Sequence, residues 1–384
     1  MKTVGIIAEY NPFHNGHQYH IQQSKNLTGA DAAVVLMSGH FTQRGLPAVA
    51  DKWQRAKWAI QGGADLVFEL PFVYAVRSAE LFAKGGISIL HRLGVDFVSF
   101  GSETGSLEPL LSAAKVLADE PPAFRQLLTE GLDTGLSFPA ARQAALHDYL
   151  GNTFPLSTPN DILAVEYLKW LCRLSSPVKP ITLRRIGTQY HDTESVGKYA
   201  SANHLRTLLY QGKDISSFIP QSTQEPLPSM QTFENLILCS LRQLTKSQIA
   251  RLCDVSEGLE NKIKAAATQP DYNHIIEFVK SKRYTHTRIA RILLYCLFRF
   301  PKDAPEANYV RLLAANDSGC KFLRELKQSS QIEIITSLNH KNASLPAMEY
   351  DILAGDLYHL LFTDPQMRTG GKEFTIPASV TKLP

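Results

Sequence analysis

The sequence predicts an α/β fold: an N-terminal doubly wound parallel sheet followed by a mainly helical, basic region. Three observations carry that reading. The first hundred residues alternate short apolar runs with helical stretches at the spacing of strand–helix–strand units. Gly-Ala-Asp stands before two of those runs, at positions 29–31 and 63–65, and Gly94-Val95-Asp96 stands before another. After Gly105 the apolar residues recur with helical period, and positive charge accumulates. Arg173 to Leu345 holds 24 Lys and Arg against 15 Asp and Glu, whereas the remainder holds 16 against 21.

The elements follow in order. Thr3–Ala8, Asp31–Ser38, Leu66–Leu70 and Phe97–Phe100 are the expected strands, with helices at Gly16–Asn26, Asp51–Gln61 and Ser78–Arg92 between them. Leu107–Ala118, Ala123–Thr129 and Ala140–Tyr149 read as helices. Another starts at Thr158-Pro159-Asn160-Asp161 and runs to about Leu171. Val178–Ile186 is one more strand, Tyr199–Tyr210 a short basic helix, and Pro220–Ser229, with three prolines, a linker. Gln231 to about Gln328 is helical throughout by period, and the chain from Thr369 is expected to be poorly ordered. The division this implies is an α/β domain over residues 1–190 and a mainly helical region over residues 191–384.

Composition excludes several classes. Apolar content of 44% and charged content of 20% belong to an ordinary soluble globular protein. No run approaches the roughly 20 apolar residues that cross a bilayer. The leading apolar run is six residues, below the about 7–15 of a signal peptide, so the expected location is the cytoplasm. Five cysteines, none in a CxxC pair, read as free thiols in a reducing compartment and not as a zinc site. No membrane and no protein partner is expected.

The chemistry concentrates at the first strand. Its end flows into Glu9-Tyr10-Asn11-Pro12-Phe13-His14-Asn15-Gly16-His17-Gln18-Tyr19-His20. His14 and His17 are three residues apart at a helix start and so share a face. The helix N-terminus offers unpaired N–H groups and the positive end of its dipole to a phosphate chain. Gly16 lets backbone approach that chain closely, Pro12 stiffens the entry, and the imidazoles can stabilise charge on a phosphoryl group in transfer. Ligands in such sheets sit outside the carboxyl ends of the strands. Two further loops leave those ends: Gly39–Asp51, whose His40, Gln43 and Arg44 could close on a small acid or receive a flipped base, and Gly101–Gly105. From Lys280 to Arg299 there are six basic residues and no acidic one. Lys280, Lys282, Arg283, Arg288 and Arg291, interleaved with Tyr284 and His286, suit the phosphates and bases of RNA.

The string His-Asn-Gly-His after the first strand resembles the HxGH nucleotidyltransferase superfamily. Asn11 and Ala8-Glu9-Tyr10 depart from its small cofactor-making adenylyltransferases, and no KMSKS-like string points to a tRNA synthetase. The longer strings EYNPFHNGH, SGHFTQRGLPAVADKWQRAKWAIQGGADLVFELP, TPNDILAVEYLK, RRIGTQYHD, YASANHLR and YTHTRIARILLYCLFR together resemble the tRNA(Met) cytidine acetate ligase family over the whole chain. The departures are His40, where that family usually has Asn, and Asn203-His204.

The resemblance implies an ATP site. Ile7 to His20 would wrap the nucleotide, Gly101 would lie against the adenosine, Asn160 would hydrogen-bond it, and Arg185, with Arg184, would meet the phosphates. Ser201 and Arg206 resemble the superfamily's later serine–arginine motif. The implied reaction adenylates acetate with ATP and transfers acetyl to N4 of the wobble cytidine of elongator tRNA(Met). Mg²⁺ is expected with ATP, without a dedicated carboxylate cage. Two alternatives stay open: an adenylyltransferase acting on a small phosphorylated compound, and a non-catalytic RNA- or nucleotide-binding protein on the same fold.

Overall fold

A computed structural model describes residues 1–151, 158–185, 197–220, 226–256, 258–281 and 284–381. Its centre is one sheet of eight strands: β1 (Thr3–Ala8), β2 (Ala32–Ser38), β3 (Leu66–Leu70), β4 (Phe97–Ser102), β5 (Lys179–Arg184), β6 (Tyr309–Asn316), β7 (Glu333–Ile335) and β8 (Ser379–Thr381). The order is β5-β4-β1-β2-β3-β6-β7, with β8 also on β6. Every pairing is parallel except β3 with β6. β2 and β3 are buried along their whole length, as strands covered on both faces must be.

The aspartates that precede the strands have a local task. Asp31 accepts from the N–H of Lys2 at 2.8 Å, Asp65 from Ala33 at 2.8 Å, and Asp96 from Thr3 at 2.7 Å. Each carboxylate thereby satisfies a donor at or just before the start of a neighbouring strand. The repeated Gly-x-Asp pattern is therefore part of the sheet's construction.

The helices between the strands fall within two residues of expectation at each end: Asn15–Thr28, Lys52–Gln61 and Ala79–Leu93. Leu107–Asp119, Phe138–Leu150 and Pro159–Arg173 likewise stand where periodicity puts them, and Pro122–Asp133 runs four residues beyond its expected end. The short basic helix begins at Ala202, with Ser201 as its N-cap. The end of the strand expected to reach Ile186 and half of the linker expected at Pro220–Ser229, residues 221–225, lie outside the described residues.

Two expectations fail. The stretch expected to be helical to Gln328 is interrupted by β6, which enters the sheet beside β3. The sheet thus draws strands from both sides of residue 190. YVRLLAAN gives little local sign of this, since Leu and Ala suit a helix as well. What makes it a strand is burial: all eight residues are buried, Arg311 included.

The chain after Thr369, expected to be poorly ordered, instead docks. Lys372–Thr375 is a helical turn and β8 follows. Glu373 is 1% exposed. Its carboxylate meets Lys52 Nζ at 2.7 Å, His40 Nε2 at 3.2 Å and the Arg311 guanidinium, while Lys52 also meets Glu69 at 2.7 Å. Two acids and two permanent cations cancel inside the core, which is how such charges tolerate burial.

Among the described residues no helix is long and apolar enough to cross a membrane, no group of His, Cys, Asp and Glu could hold a metal ion, and all five cysteines are free.

Candidate active site

The loop after β1 is built by its own side chains. His14 is the N-cap of helix Asn15–Thr28, with extended backbone, and its Nδ1 accepts from Gly16 N at 3.1 Å. His17 returns the contact: its Nδ1 accepts from His14 N at 3.3 Å. The pair forms a capping box in which imidazoles stand in for the usual Ser and Glu. The two rings stack with centroids 3.6 Å apart.

This fixes the tautomer. A ring nitrogen that accepts from a backbone N–H carries no proton, so each neutral imidazole holds its proton on Nε2. Both rings are neutral. Burial, reinforced by the Arg185 and Arg206 charges, pulls His14 down to about 3. Burial and then His14, Arg185 and His20 hold His17 well below its ordinary value. The site therefore presents two Nε2–H donors that carry no charge of their own.

Gly16 has a second reason to be glycine. A Cβ there would lie 2.9 Å from Cε1 and 3.0 Å from Nδ1 of His14. The bare backbone gives the imidazole room to fold back onto the helix end.

The histidines line a cavity of about 330 Å³ at the carboxyl ends of β1, β4 and β5. That is within the ordinary range of ligand sites. Ile7, Ala8, Glu9, Tyr10, Asn11, Gly16, Tyr19 and His20 line it with them, as do Gly101, Asn160, Arg184, Arg185, Ser201, Arg206, Gln43 and Arg44. Pro12, Phe13, Asn15 and Gln18 belong to the same segment but not to the wall. Phe13 packs under Gly62, and Asn15 Nδ2 donates to the carbonyls of Lys198 at 3.0 Å and Ser217 at 3.1 Å. Arg206 donates to the carbonyl of Asn11 at 2.7 Å, and burial with Arg44 nearby brings its guanidinium down to about 10. Four arginines against one acid, Glu9, make the wall electropositive among the described residues.

The Gly101 loop is clamped from helix Pro159–Arg173. Asn160 and Thr158 donate to the Glu103 carboxylate, and buried Asp161 accepts from the N–H groups of Glu103 and Thr104 at 3.0 and 3.2 Å. The apolar wall is what the sequence reading missed: Ala79, Phe82, Phe100, Leu163, Tyr167 and Leu183. One signal was available, because Asn160, Leu163 and Tyr167 stand at i, i+3 and i+7 on one helix face.

His40 is not in this cavity. It is 1% exposed, stacks on Tyr358 at 4.6 Å and bonds Glu373, so it anchors the root of the loop whose tip carries Gln43 and Arg44. Burial takes it down to about 3.

The basic run lies elsewhere. Arg288 spans the ring of Tyr284 at 5.1 Å and donates to the Asp254 carbonyl at 2.8 Å. Arg291 pairs with Asp254 at 3.5 Å, and Lys280 with Glu277 at 3.3 Å. Lys282 and Arg283 lie outside the described residues.

A mostly parallel sheet with a capped histidine pair over an electropositive cavity defines a nucleotidyltransferase-type site. The model of the HIGH Nucleotidyl Transferase family matches residues 1–373. The tRNA(Met) cytidine acetate ligase of Acetivibrio thermocellus is 38% identical, with 98% of this chain and 99% of that one covered, and that of a Thermoanaerobacter species is 40% identical with the same coverage. The crystal structure of Thermotoga maritima TmcAL in its apo form superposes with a TM-score of 0.93 at 30% identity, covering all of both chains. Its form bound with alpha-thio ATP gives 0.92 at 29%. The chain belongs to the tRNA(Met) cytidine acetate ligase family.

Proposed function

We infer that the protein is an ATP-dependent ligase that adenylates acetate and transfers the acetyl group to N4 of the wobble cytidine of elongator tRNA(Met). The observation that carries this is the capped imidazole pair in the arginine-rich cavity. A neutral donor can follow charge as it develops at the α-phosphorus without first having to be stripped from a carboxylate partner.

In the first step an acetate oxygen attacks the α-phosphorus of ATP, a P–O bond forms, and pyrophosphate leaves. His14 and His17 donate from Nε2 to the α-phosphate oxygens. Arg184, Arg185 and Arg206 hold the β- and γ-phosphates, and Ser201 supports Arg206's helix as its cap. Ile7 to Asn11, Gly16, Tyr19 and His20, with Gly101 and Asn160, enclose the rest of the nucleotide, and Pro12, Phe13, Asn15 and Gln18 shape that segment from behind. In the second step the cytidine N4 attacks the acetyl carbonyl and AMP leaves. Mg²⁺ would be held mainly by the triphosphate and would offset its charge, Glu9 being the one acid that lines the cavity among the described residues. Residues 1–190 supply most of the nucleotide chemistry. Residues 191–384 supply the tRNA contacts, with Lys280, Lys282 and Arg283 meeting phosphates and Arg288 and Arg291 shaping the surface beside them. The setting is the cytoplasm, where ATP and tRNA are found.

The test is incubation with ATP, labelled acetate and total tRNA, followed by digestion to nucleosides. Labelled N4-acetylcytidine is expected. His17→Ala should abolish acetate-dependent ATP–pyrophosphate exchange while tRNA binding persists. Exchange driven by a phosphorylated small molecule and not by acetate would replace this reading with a cofactor adenylyltransferase.

A further inference from the structure

Gln43 stands at the tip of the loop that β2 sends over the cavity. Its backbone is held on three sides. Gln43 N donates to Glu9 Oε1 at 2.8 Å, Thr42 N to the Leu46 carbonyl at 3.0 Å, and Gly45 N to the Thr42 carbonyl at 2.9 Å. Behind the tip, Gly45 at φ 77° lies so close to helix His286–Phe298 that a Cβ would sit 2.8 Å from Ala290 backbone atoms. The side chain is thus delivered to the cavity wall by a fixed scaffold.

Yet its Nε2 is buried and has no hydrogen-bond partner among the described residues. A buried amide donor left without an acceptor is costly, because it has given up water and gained no bond. Folding has paid for positioning it, and a ligand would recover that cost. The ligand must bring an acceptor oxygen small enough to reach a buried atom, into surroundings made positive by Arg44 and Arg206.

We propose that the Gln43 carboxamide is the donor that holds the carboxylate of acetate for its attack on ATP. This rests on the acetate-ligase reading above. A neutral amide suits the task, since it orients one carboxylate oxygen without the strong charge-assisted bond of a guanidinium, which would blunt the other as a nucleophile. A cytosine edge offers acceptors too, but it is large and enters from solvent, which favours the small acid at a buried nitrogen.

The test separates the two steps. Gln43→Ala is expected to raise the acetate KM at least tenfold in ATP–pyrophosphate exchange, with the ATP Kd within twofold of wild type. When chemically prepared acetyl-adenylate replaces ATP and acetate, acetyl transfer to tRNA by Gln43→Ala should proceed at the wild-type rate. Gln43→Glu, which sets a carboxylate against a carboxylate, should lose more than Gln43→Ala. An unchanged acetate KM, or a transfer defect that persists with preformed acetyl-adenylate, would overturn the assignment, the latter moving Gln43 to the cytidine. Failure of wild-type protein to use acetate at all would instead reject the underlying function.

Discussion

Replacing Gly16 by Ala should separate stability from catalysis. Gly16 is the second residue of its helix and has no positive φ, so the backbone tolerates a side chain there. Ala is favoured over Gly in a helix by about 1 kcal/mol. Against this, the new Cβ would lie 2.9–3.0 Å from the His14 ring, closer than carbon or nitrogen tolerates. The imidazole must swing away, and the hydrogen bond that Gly16 N donates to its Nδ1 is lost, costing about 1 kcal/mol. The two terms offset, so the thermal midpoint should stay within about 2–4 °C of wild type. Rate should not be spared. Turning His14 misdirects one of two Nε2–H donors, and removing one donor from an oxyanion site costs about 2.7–4 kcal/mol, or 10²–10³ in rate. The assay is acetate-dependent ATP–pyrophosphate exchange beside a melting curve. Full activity, or a loss of activity fully explained by unfolding at the assay temperature, would refute the assigned role of the glycine and its cap.

Other outcomes follow from the same geometry. Glu373→Gln should destabilise the fold by about 3–5 kcal/mol, because Arg311 and Lys52 lose a buried carboxylate. A denaturant titration showing less than about 1 kcal/mol would mean the network is not an anchor. Acid should destabilise early. His14 and His40 sit near 3 when folded and near 6.5 when unfolded, so the unfolded chain binds more protons as pH drops below 6.5. Stability is fully present above 6.5 and falls by about 2 kcal/mol per histidine by pH 5, which melts across that range would measure. Between pH 7 and 8 both imidazoles of the capped pair are already neutral, so no rate change should track their titration.

The first strand, its loop and the histidine pair were legible because the forces that make them are local. The capping box closes within four residues, Gly16 accommodates a ring two positions away, and the Gly-x-Asp pattern repeats before three strands. The spans of most helices in the first 173 residues were legible for the same reason, since period sets them locally. What the sequence did not disclose depends on partners hundreds of residues apart. YVRLLAAN becomes β6 only because β3 offers an antiparallel edge and Glu373 neutralises Arg311. His40 sits on a loop that suggests chemistry, but Tyr358 and Glu373 bury it. The apolar wall of Phe82, Phe100 and Tyr167 exists only once three elements converge. Local backbone chemistry wrote the capped histidine turn into the sequence; burial of charge and ring by distant segments, which no short window contains, decided how the rest closes around it.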